Sequence, residues 1–199
     1  MTIKNNSLIK GTYFPPGDKS ISHRILILAS QTVGKSEISN LLEGEDVLNT
    51  LKAMKILGAN ISKKNKKYVV FGVPPGGLFQ PNKPIDFGNS GTGIRLICGL
   101  IASNNIKAKL VGDGSLSKRP MKRVTVHLKK IGALINLKKD SYPPIKIQGD
   151  GEALPLKYNI MIPSAQIKSA IMLSALNTKG LIEIKEFKTT RDHTENMLK

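Results

Sequence analysis

Three segments of the chain combine a turn of small residues with basic side chains at the start of an apolar helix. They lie at residues 16–24 (PGDKSISHR), 88–95 (GNSGTGIR) and 163–169 (PSAQIKS). Small residues before a helix leave backbone N–H groups exposed at the positive end of the helix dipole. Lys and Arg within the same segments add positive charge. The pattern therefore predicts a binding site for an anion that carries several negative charges.

The first segment holds the residue types that suit this chemistry best. Lys19 offers a compact ammonium group for a phosphate or carboxylate at a helix start. Arg24 lies one helical turn after Ser20 on the same face, so its planar guanidinium could hold a carboxylate through two hydrogen bonds. An arginine inside an otherwise apolar helix also needs a partner. Ser20 could serve as a helix cap as well, and the two roles are compatible.

The composition of the 199 residues favours a globular protein with a large excess of positive charge. Lysine and arginine number 31 against 14 acidic residues, which gives a net charge of +17. Such a field attracts acidic substrates or polyanions, although solvated lysine faces would give the same count. Aromatic residues make up only 5% and Trp is absent, which argues against base stacking on nucleic acid. The densest basic run, residues 63–67, precedes a strand-like stretch and is interpreted as a hairpin tip.

Cysteine usage and hydropathy favour a cytoplasmic protein. Cys98 is the single cysteine, so the 199 residues hold no internal disulfide and no cysteine metal cluster. No apolar run reaches membrane-spanning length, and the first residues lack the apolar region of a secretory signal. The His, Cys and Asp residues are not grouped with metal-ligand spacing. We therefore expect neither a membrane nor nucleic acid as a partner, and no metal.

The same order of elements recurs along the chain, which predicts repeated units. Gly58 and Gly132 each follow a helical pattern, each precede Ala, and suit the left-handed backbone of a helix end. Units are placed at about residues 16–80, 81–150 and 151–199, each beginning with or just before one of the three basic turns. The third unit stops within its second helix, so we expect the chain to be the N-terminal part of a longer protein.

The first helix of each unit is apolar and rich in small residues, as at residues 25–29. Helices without a polar face are buried on most sides. We therefore predict an α/β fold turned inside out, in which repeated βαβαββ-type units enclose buried parallel helices. Local signals add a strand at residues 181–184, Pro120 in the first turn of a helix, and a capping box of Asp192 and Glu195.

Five blocks of sequence, in order and in register, resemble the 5-enolpyruvylshikimate-3-phosphate (EPSP) synthase family over essentially the whole chain. They cover residues 16–24, 88–95, 112–121, 164–170 and 190–195. The resemblance implies the enolpyruvyl transferase fold, truncated in its third unit. Residues 16–199 would form the first domain, and residues 1–15 would form a strand that pairs with a second domain.

The same resemblance implies an activity. The enolpyruvyl group of phosphoenolpyruvate would be transferred to the 5-hydroxyl of shikimate 3-phosphate, with release of phosphate, in the shikimate pathway that leads to chorismate and aromatic amino acids. It implies no metal or organic cofactor, small-molecule substrates as the partners, and a monomeric full-length enzyme. The general base belongs to the second domain, so we expect no catalytic residue here, and the 199 residues alone should bind weakly and turn over little.

Two overlapping sets of binding residues follow from the family resemblance. The set for shikimate 3-phosphate is Lys19, Ser20, Arg24, Ser164, Ala165, Gln166, Thr190 and Arg191. The set for phosphoenolpyruvate is Lys19, Asn89, Gly91, Thr92, Arg119 and Gln166. Among their neighbours, the residues interpreted as structural or as merely adding charge are Arg95 and Arg123 (ion pairs), His23 (structural), His127 (surface or core), His193 (helix cap) and Lys168 (additional charge).

Two other functions are left open by the residues. A sister enzyme that transfers enolpyruvate to a UDP-amino sugar would share the repeat, but it needs a reactive cysteine in a loop, and Cys98 lies in a predicted helix. A non-catalytic module that binds nucleic acid would account for the net charge of +17. A steep salt dependence of nucleic-acid binding would favour that module.

Overall fold

The computed structural model describes residues 10–199, in which helices and strands alternate along the chain. The helices are α1 (Lys19–Ala29), α2 (Glu45–Ile56), α3 (Gly91–Ala102), α4 (Lys122–Lys130), α5 (Ala165–Ala175) and α6 (His193–Leu198). The strands are β1 (Lys35–Ile38), β2 (Asn60–Lys64), β3 (Lys67–Phe71), β4 (Ile85–Asp86), β5 (Lys107–Val111), β6 (Leu134–Lys138), β7 (Tyr142–Gln148), β8 (Lys157–Ile160) and β9 (Glu183–Glu186). None of the helices in residues 10–199 combines the length and the apolar character needed to cross a bilayer.

The strands form three separate sheets. The first has the order β1-β3-β2 and is antiparallel throughout. The second has the order β4-β5-β7-β6, in which β4 and β5 are parallel and β7 is antiparallel to both of its neighbours. The third is the parallel pair β8 and β9. The middle of the chain runs β4, α3, β5, α4, β6, β7, which is the βαβαββ order predicted for a repeated unit.

Helices, rather than a sheet, occupy the centre of the molecule. Every residue of α3 except Thr92 is buried, and α1 and α5 bury most of their side chains as well. Helix α3 lies against α5, where the backbone of α5 at Ala170 fits into the space beside Gly99. An apolar helix can only be this buried if sheets and other helices cover it on all sides. The predicted inside-out α/β fold is confirmed.

Two helix ends and one hairpin turn contain residues with left-handed backbone, as their sequences predict. Gly58 and Gly132, which follow α2 and α4, have φ of 110° and 108°. The lysine-rich run at residues 63–67 is the hairpin between β2 and β3, and its two central residues, Asn65 and Lys66, have φ of 46° and 64°. Positive φ at both central residues is the geometry that a two-residue hairpin turn favours. The prediction of a hairpin tip is therefore confirmed.

Some local predictions were wrong. Pro120 lies outside the first turn of α4, because the helix begins at Lys122 and Met121 caps it. The strand expected at residues 181–184 begins and ends two residues later, as β9, in which Glu186 lies opposite Ile160 of β8. Pairing with a distant strand thus set the position of β9 more strongly than its local apolar pattern.

The N-terminal strand expected at residues 1–15 lies largely outside the described residues. Residues 1–9 are not described, and residues 10–15 adopt no regular structure.

The close approach at Gly99 predicts that Gly99→Ala destabilises the protein. A β-carbon there would overlap the backbone of α5 at Ala170, which cannot move without displacing the helix. Alanine favours a helix over glycine by about 1 kcal/mol, but the overlap should outweigh this gain and lower the free energy of unfolding by about 2–4 kcal/mol. Urea denaturation monitored by circular dichroism measures the change.

Gly114→Ala is the matched control for this substitution. A β-carbon at Gly114 would meet no atom within 4 Å, so we expect little change in the urea midpoint. Equal stabilities for Gly99→Ala and Gly114→Ala would contradict the close helix packing.

A candidate anion-binding site at the helix amino ends

The three basic turns become the amino ends of α1, α3 and α5, and each is capped by a side chain. Asp18, Ser90 and Ser164 accept the backbone N–H of the third helical residue, at 2.8, 3.2 and 3.4 Å respectively. Such caps satisfy one donor of the first turn. The remaining first-turn N–H groups have no acceptor within their own helix, so each of these ends keeps donors for a ligand.

Gln166 joins the amino ends of α5 and α3. Its side-chain Nε2 donates to Thr92 Oγ1 at 3.0 Å, and its Oε1 accepts from Arg95 Nη1 at 3.1 Å. Arg95 also donates to the carbonyl oxygens of Gly91 and Pro120, each at 3.1 Å. Arg95 therefore connects α3, α5 and the segment before α4 in one hydrogen-bonded unit.

The amino ends of α1 and α5 meet at the loop between β9 and α6. Arg191 in that loop donates from Nη1 to Ser20 Oγ at 3.5 Å. A cavity of about 340 Å³ opens at the start of α5 and is lined by Pro163, Ser164, Ala165, Gln166, Thr190 and Arg191. Five members of the shikimate 3-phosphate set therefore line one cavity, and a sixth, Ser20, contacts its rim.

Arg24 lies behind this cavity and is buried. Its Nε donates to Thr194 Oγ1 at 2.7 Å, Nη1 to the Ser20 carbonyl at 2.9 Å, and Nη2 to Ser169 Oγ at 2.8 Å. Burial, and then the nearby charge of Arg191, lower the pKa of Arg24 below its ordinary value. The guanidinium thus has hydroxyl and carbonyl partners on three sides, where the sequence analysis anticipated a ligand carboxylate.

Lys19 is the exposed cation of the first segment. Its ammonium group forms an ion pair with Asp46 in the first turn of α2. Its side chain is 52% exposed, so the pair is accessible to solvent and to a competing anion. A surface pair of this kind contributes little to stability, which leaves Lys19 available to exchange its partner.

Arg119 and Asn89 form the part of the site that lies at the start of α3. Arg119 donates to the Asn89 carbonyl at 3.4 Å and to Ser115 Oγ at 3.3 Å, and a second bond joins its guanidinium to Asn89 Oδ1. A β-carbon on Gly91 would stand 3.1 Å from Nη1 of both Arg119 and Arg95. Glycine therefore leaves the space between two guanidinium groups open at this helix end.

Two sequence interpretations of these cations were wrong. Arg95 and Arg123 form no ion pair among residues 10–199, and the partners of Arg95 are neutral oxygens. Burial, followed by the charges of Arg123 and Arg119, lowers the pKa of Arg95 to about 10. Positive charge is thus concentrated at the α3 end, where the nearby carboxylate of Asp113 bonds to Asn89 and not to an arginine.

Lys168 does not add its charge to the cavity. Its side chain is 7% exposed and pairs with Glu186, at 2.7 Å, and with Glu195. The expected capping box is only partly present: Asp192 is the N-cap of α6, but its side chain makes no cap bond, and His193 begins the helix instead of capping it. Glu195, the other member of the pattern, pairs with Lys168.

His23 is fully buried between α1 and α2, as expected for a structural residue. Its Nδ1 lies 2.8 Å from Thr50 Oγ1. Burial lowers the pKa of His23 to about 4, with the charges of Lys19 and Arg24 acting in the same direction and that of Asp46 opposing them. The imidazole is therefore neutral at pH 7. His127 is half-buried on α4, and its ring packs edge-on against Tyr158.

Several residues that hold the site together had no signal in the sequence. Thr194 and Ser169 bond to Arg24 and to each other, with their hydroxyl oxygens 2.7 Å apart. These contacts join residues that are far apart in the chain, so spacing could not reveal them; the buried charge of Arg24 was the only hint that polar partners were needed.

Buried helices enclosed by sheets, with capped amino ends that lie beside arginines, define the class of this protein: an inside-out α/β protein. The sequence model described as EPSP synthase (3-phosphoshikimate 1-carboxyvinyltransferase) matches residues 3–199. The chain belongs to the EPSP synthase family.

Individual relatives agree with this assignment. The chain is similar to the 3-phosphoshikimate 1-carboxyvinyltransferases of Parvibaculum lavamentivorans (46% identity) and a Ruegeria species (48% identity), with 100% of this chain aligned in each case. A solved EPSP synthase structure from Acinetobacter baumannii superposes with a TM-score of 0.90 at 38% identity and covers 94% of this chain and 43% of that one. The chain spans 44% of the length of the two curated relatives.

The buried neutral His23 predicts a loss of stability in acid. The unfolded chain takes up a proton near pH 6.5, whereas the folded imidazole does so near pH 4. The contribution of the neutral His23 to the free energy of unfolding is therefore complete above pH 6.5 and is lost as the pH falls toward 4. The free energy of unfolding should fall by about 2 kcal/mol by pH 5. Urea denaturation at pH 7, 6 and 5 measures this dependence.

His23→Asn, which retains a polar atom near Thr50, should flatten the pH dependence whatever its absolute stability. His193→Asn on α6 is the control and should keep the dependence of the unmodified chain. Parallel pH curves for the two variants would contradict the assignment to His23.

Proposed function

We propose that this chain supplies part of the site at which the enolpyruvyl group of phosphoenolpyruvate is transferred to the 5-hydroxyl of shikimate 3-phosphate, with release of phosphate. The observation that carries the proposal is the cavity at the start of α5, where Ser164, Thr190 and Arg191 converge beside Ser20 of α1. Hydroxyl groups, helix amides and a guanidinium are the donors that a phosphate group requires.

In this proposal shikimate 3-phosphate occupies the α1–α5 side of the site. Its phosphate accepts hydrogen bonds from Ser164, from the first amides of α5 and from the Thr190–Arg191 loop. Lys19 exchanges Asp46 for the ligand anion, which its exposed position permits. Arg24 holds Ser20 from behind through the 2.9 Å bond to its carbonyl and lends its charge to the ligand carboxylate. Gln166 lies between this ligand and the next, since it already joins α5 to α3.

Phosphoenolpyruvate is assigned to the α3 end, where Arg119, Asn89 and the amide of Thr92 surround the open space at Gly91. Its phosphate and carboxylate would balance the positive charge of Arg119, Arg95 and Arg123. Cations that are held in place before the ligand arrives need no reorganisation during the reaction. The two ligands would thus lie side by side, with the attacking hydroxyl close to the enol carbon.

The chemistry then requires a proton on C3 of phosphoenolpyruvate, a new bond from the 5-hydroxyl oxygen to C2, and expulsion of phosphate from the tetrahedral intermediate. Within residues 10–199, two carboxylates near these helix ends are already engaged, Asp46 by Lys19 and Asp113 by Asn89, and the family resemblance implies that the general base lies in the second domain. We therefore assign the general base to a part of the protein outside this chain. The role of the chain is to bind and orient the two anions.

The two alternative functions have less support. Cys98 lies in the middle of α3, fully buried, and burial raises the pKa of its thiol to about 12. A thiol in that environment is not a nucleophile, which disfavours a cysteine-dependent transfer to a UDP-amino sugar at this position. The densest lysine run is a hairpin tip in which Lys63 already pairs with Glu43, which disfavours a nucleic-acid module. A cytoplasmic location, which the composition favours, and a monomeric full-length enzyme, which the family resemblance implies, complete the proposal.

Binding of shikimate 3-phosphate to the purified chain, measured by isothermal titration calorimetry, tests the proposal. We expect saturable binding that weakens by about tenfold in Lys19→Ala and in Arg191→Ala, because each loses a cation that faces the ligand. Lys35→Ala is the matched control: Lys35 is exposed to the same extent as Lys19 and also pairs with a carboxylate, but it lies on β1. Equal affinities in all four proteins, or no heat from any of them, would contradict the proposal.

A further inference from the structure

Lys168 forms the most buried ion cluster among residues 10–199. Its ammonium group lies 2.7 Å from Glu186 Oε2 and also contacts Glu195 Oε1. A lysine that is 7% exposed requires such partners, since an unpaired charge would be costly in this environment. Burial acts to lower the pKa of Lys168, but the two carboxylates outweigh it and raise the pKa. The lysine is therefore charged and holds both carboxylates.

The two partners of Lys168 stand at either end of one loop. Glu186 is the last residue of β9, and Glu195 lies in the first turn of α6. Between them, residues 187–192 have no regular structure and carry Thr190 and Arg191, which line the proposed phosphate cavity. Lys168 thus fixes both ends of the loop that supplies these two residues.

The loop itself has few other anchors. Apart from Thr190, its residues are exposed, and Phe187 is 78% exposed. Its contacts in residues 10–199 include the backbone bond from Phe187 to Ile160 and the 3.5 Å bond from Arg191 to Ser20. A loop with so few buried contacts depends on the residues at its ends for its position.

A continuous chain of contacts runs from Lys168 to the cavity. Glu186 accepts from Lys168 through Oε2 and from Thr190 through Oε1 at 2.5 Å, so the Thr190 hydroxyl is oriented by the same carboxylate. Lys168 also begins the second turn of α5, where its backbone N–H bonds to the carbonyl of Ser164 at 3.1 Å. The side of the cavity formed by Ser164 and the side formed by Thr190 are therefore joined through Lys168.

We propose that Lys168 is a positioning residue, which holds the loop at residues 187–192 against the amino end of α5 by pairing with Glu186 and Glu195. The inference rests on the proposed function, because it concerns the affinity of the same site for shikimate 3-phosphate. Lys168 does not touch the ligand and acts through Thr190 and Arg191.

The test compares shikimate 3-phosphate affinities by calorimetry. Lys168→Met keeps an unbranched apolar side chain and removes the ammonium group, so the dissociation constant should rise by about tenfold or more, whereas Lys168→Arg should stay within about threefold of the unmodified chain. Ile171→Val, a core change on the same helix, controls for a general loss of stability. It should leave the affinity unchanged.

A double-mutant cycle separates positioning from a merely structural role. If Lys168 acts through Arg191, then Lys168→Met should cause much less weakening in an Arg191→Ala background than alone. Additive losses, an unchanged affinity of Lys168→Met, or an equal loss in Ile171→Val would overturn the inference. If Lys168→Met does not fold, Glu195→Gln removes one ion pair while keeping the shape, and it must weaken binding by about threefold. Failure of the unmodified chain to bind would instead count against the proposed function, so the two failures are distinguishable.

Discussion

The structure depends on one constraint: apolar helices at the centre of the molecule must bring their polar amino ends to the surface. Helix α3 is buried along almost its whole length and lies against α5. The N–H donors of its first turn can be satisfied neither by its own carbonyls nor by the surrounding apolar side chains. Caps such as Ser90 and Ser164 satisfy one donor each, and the others remain for a ligand. The inside-out arrangement and the proposed anion site are therefore two consequences of the same packing of apolar helices.

The arginines intensify this constraint. Arg24 and Arg95 are both buried, both have neutral oxygens as hydrogen-bond partners, and both have pKa values lowered by burial and by neighbouring arginines. A buried cation without a carboxylate costs free energy in the empty protein. A bound anion would offset part of that cost, so ligand binding and stability are linked in this fold.

Much of the fold could be predicted from short-range patterns. The glycines after α2 and α4, the hairpin at Asn65–Lys66 and the apolar first helices each carry a local signal, and together they gave the repeat and the buried helices. The turns of small residues likewise predicted where α1, α3 and α5 begin, because that signal is also local. Local preference alone placed the start of α4 near Pro120, whereas the helix begins at Lys122.

The details of the site could not be predicted in the same way. Arg24 bonds to Thr194, and Lys168 pairs with Glu186 and Glu195, across separations that no periodic pattern records. Glu195 was read as part of a capping box because the local rule applies to any Asp followed by Glu three residues later. In the structure Glu195 pairs with Lys168, and the side chain of Asp192 makes no cap bond.

The central claim is that the amino ends of α1 and α5 form one site for one anion. Titration of the ¹⁵N-labelled chain with shikimate 3-phosphate, followed through amide chemical shifts, tests this most directly. We expect the chemical shifts of the Ser20, Gln166 and Arg191 amides to change together and to give a single dissociation constant. The chemical shift of the Asn65 amide, at the β2–β3 hairpin, should not change. Shifts confined to one of the two helix ends, or separate dissociation constants for the two ends, would contradict it.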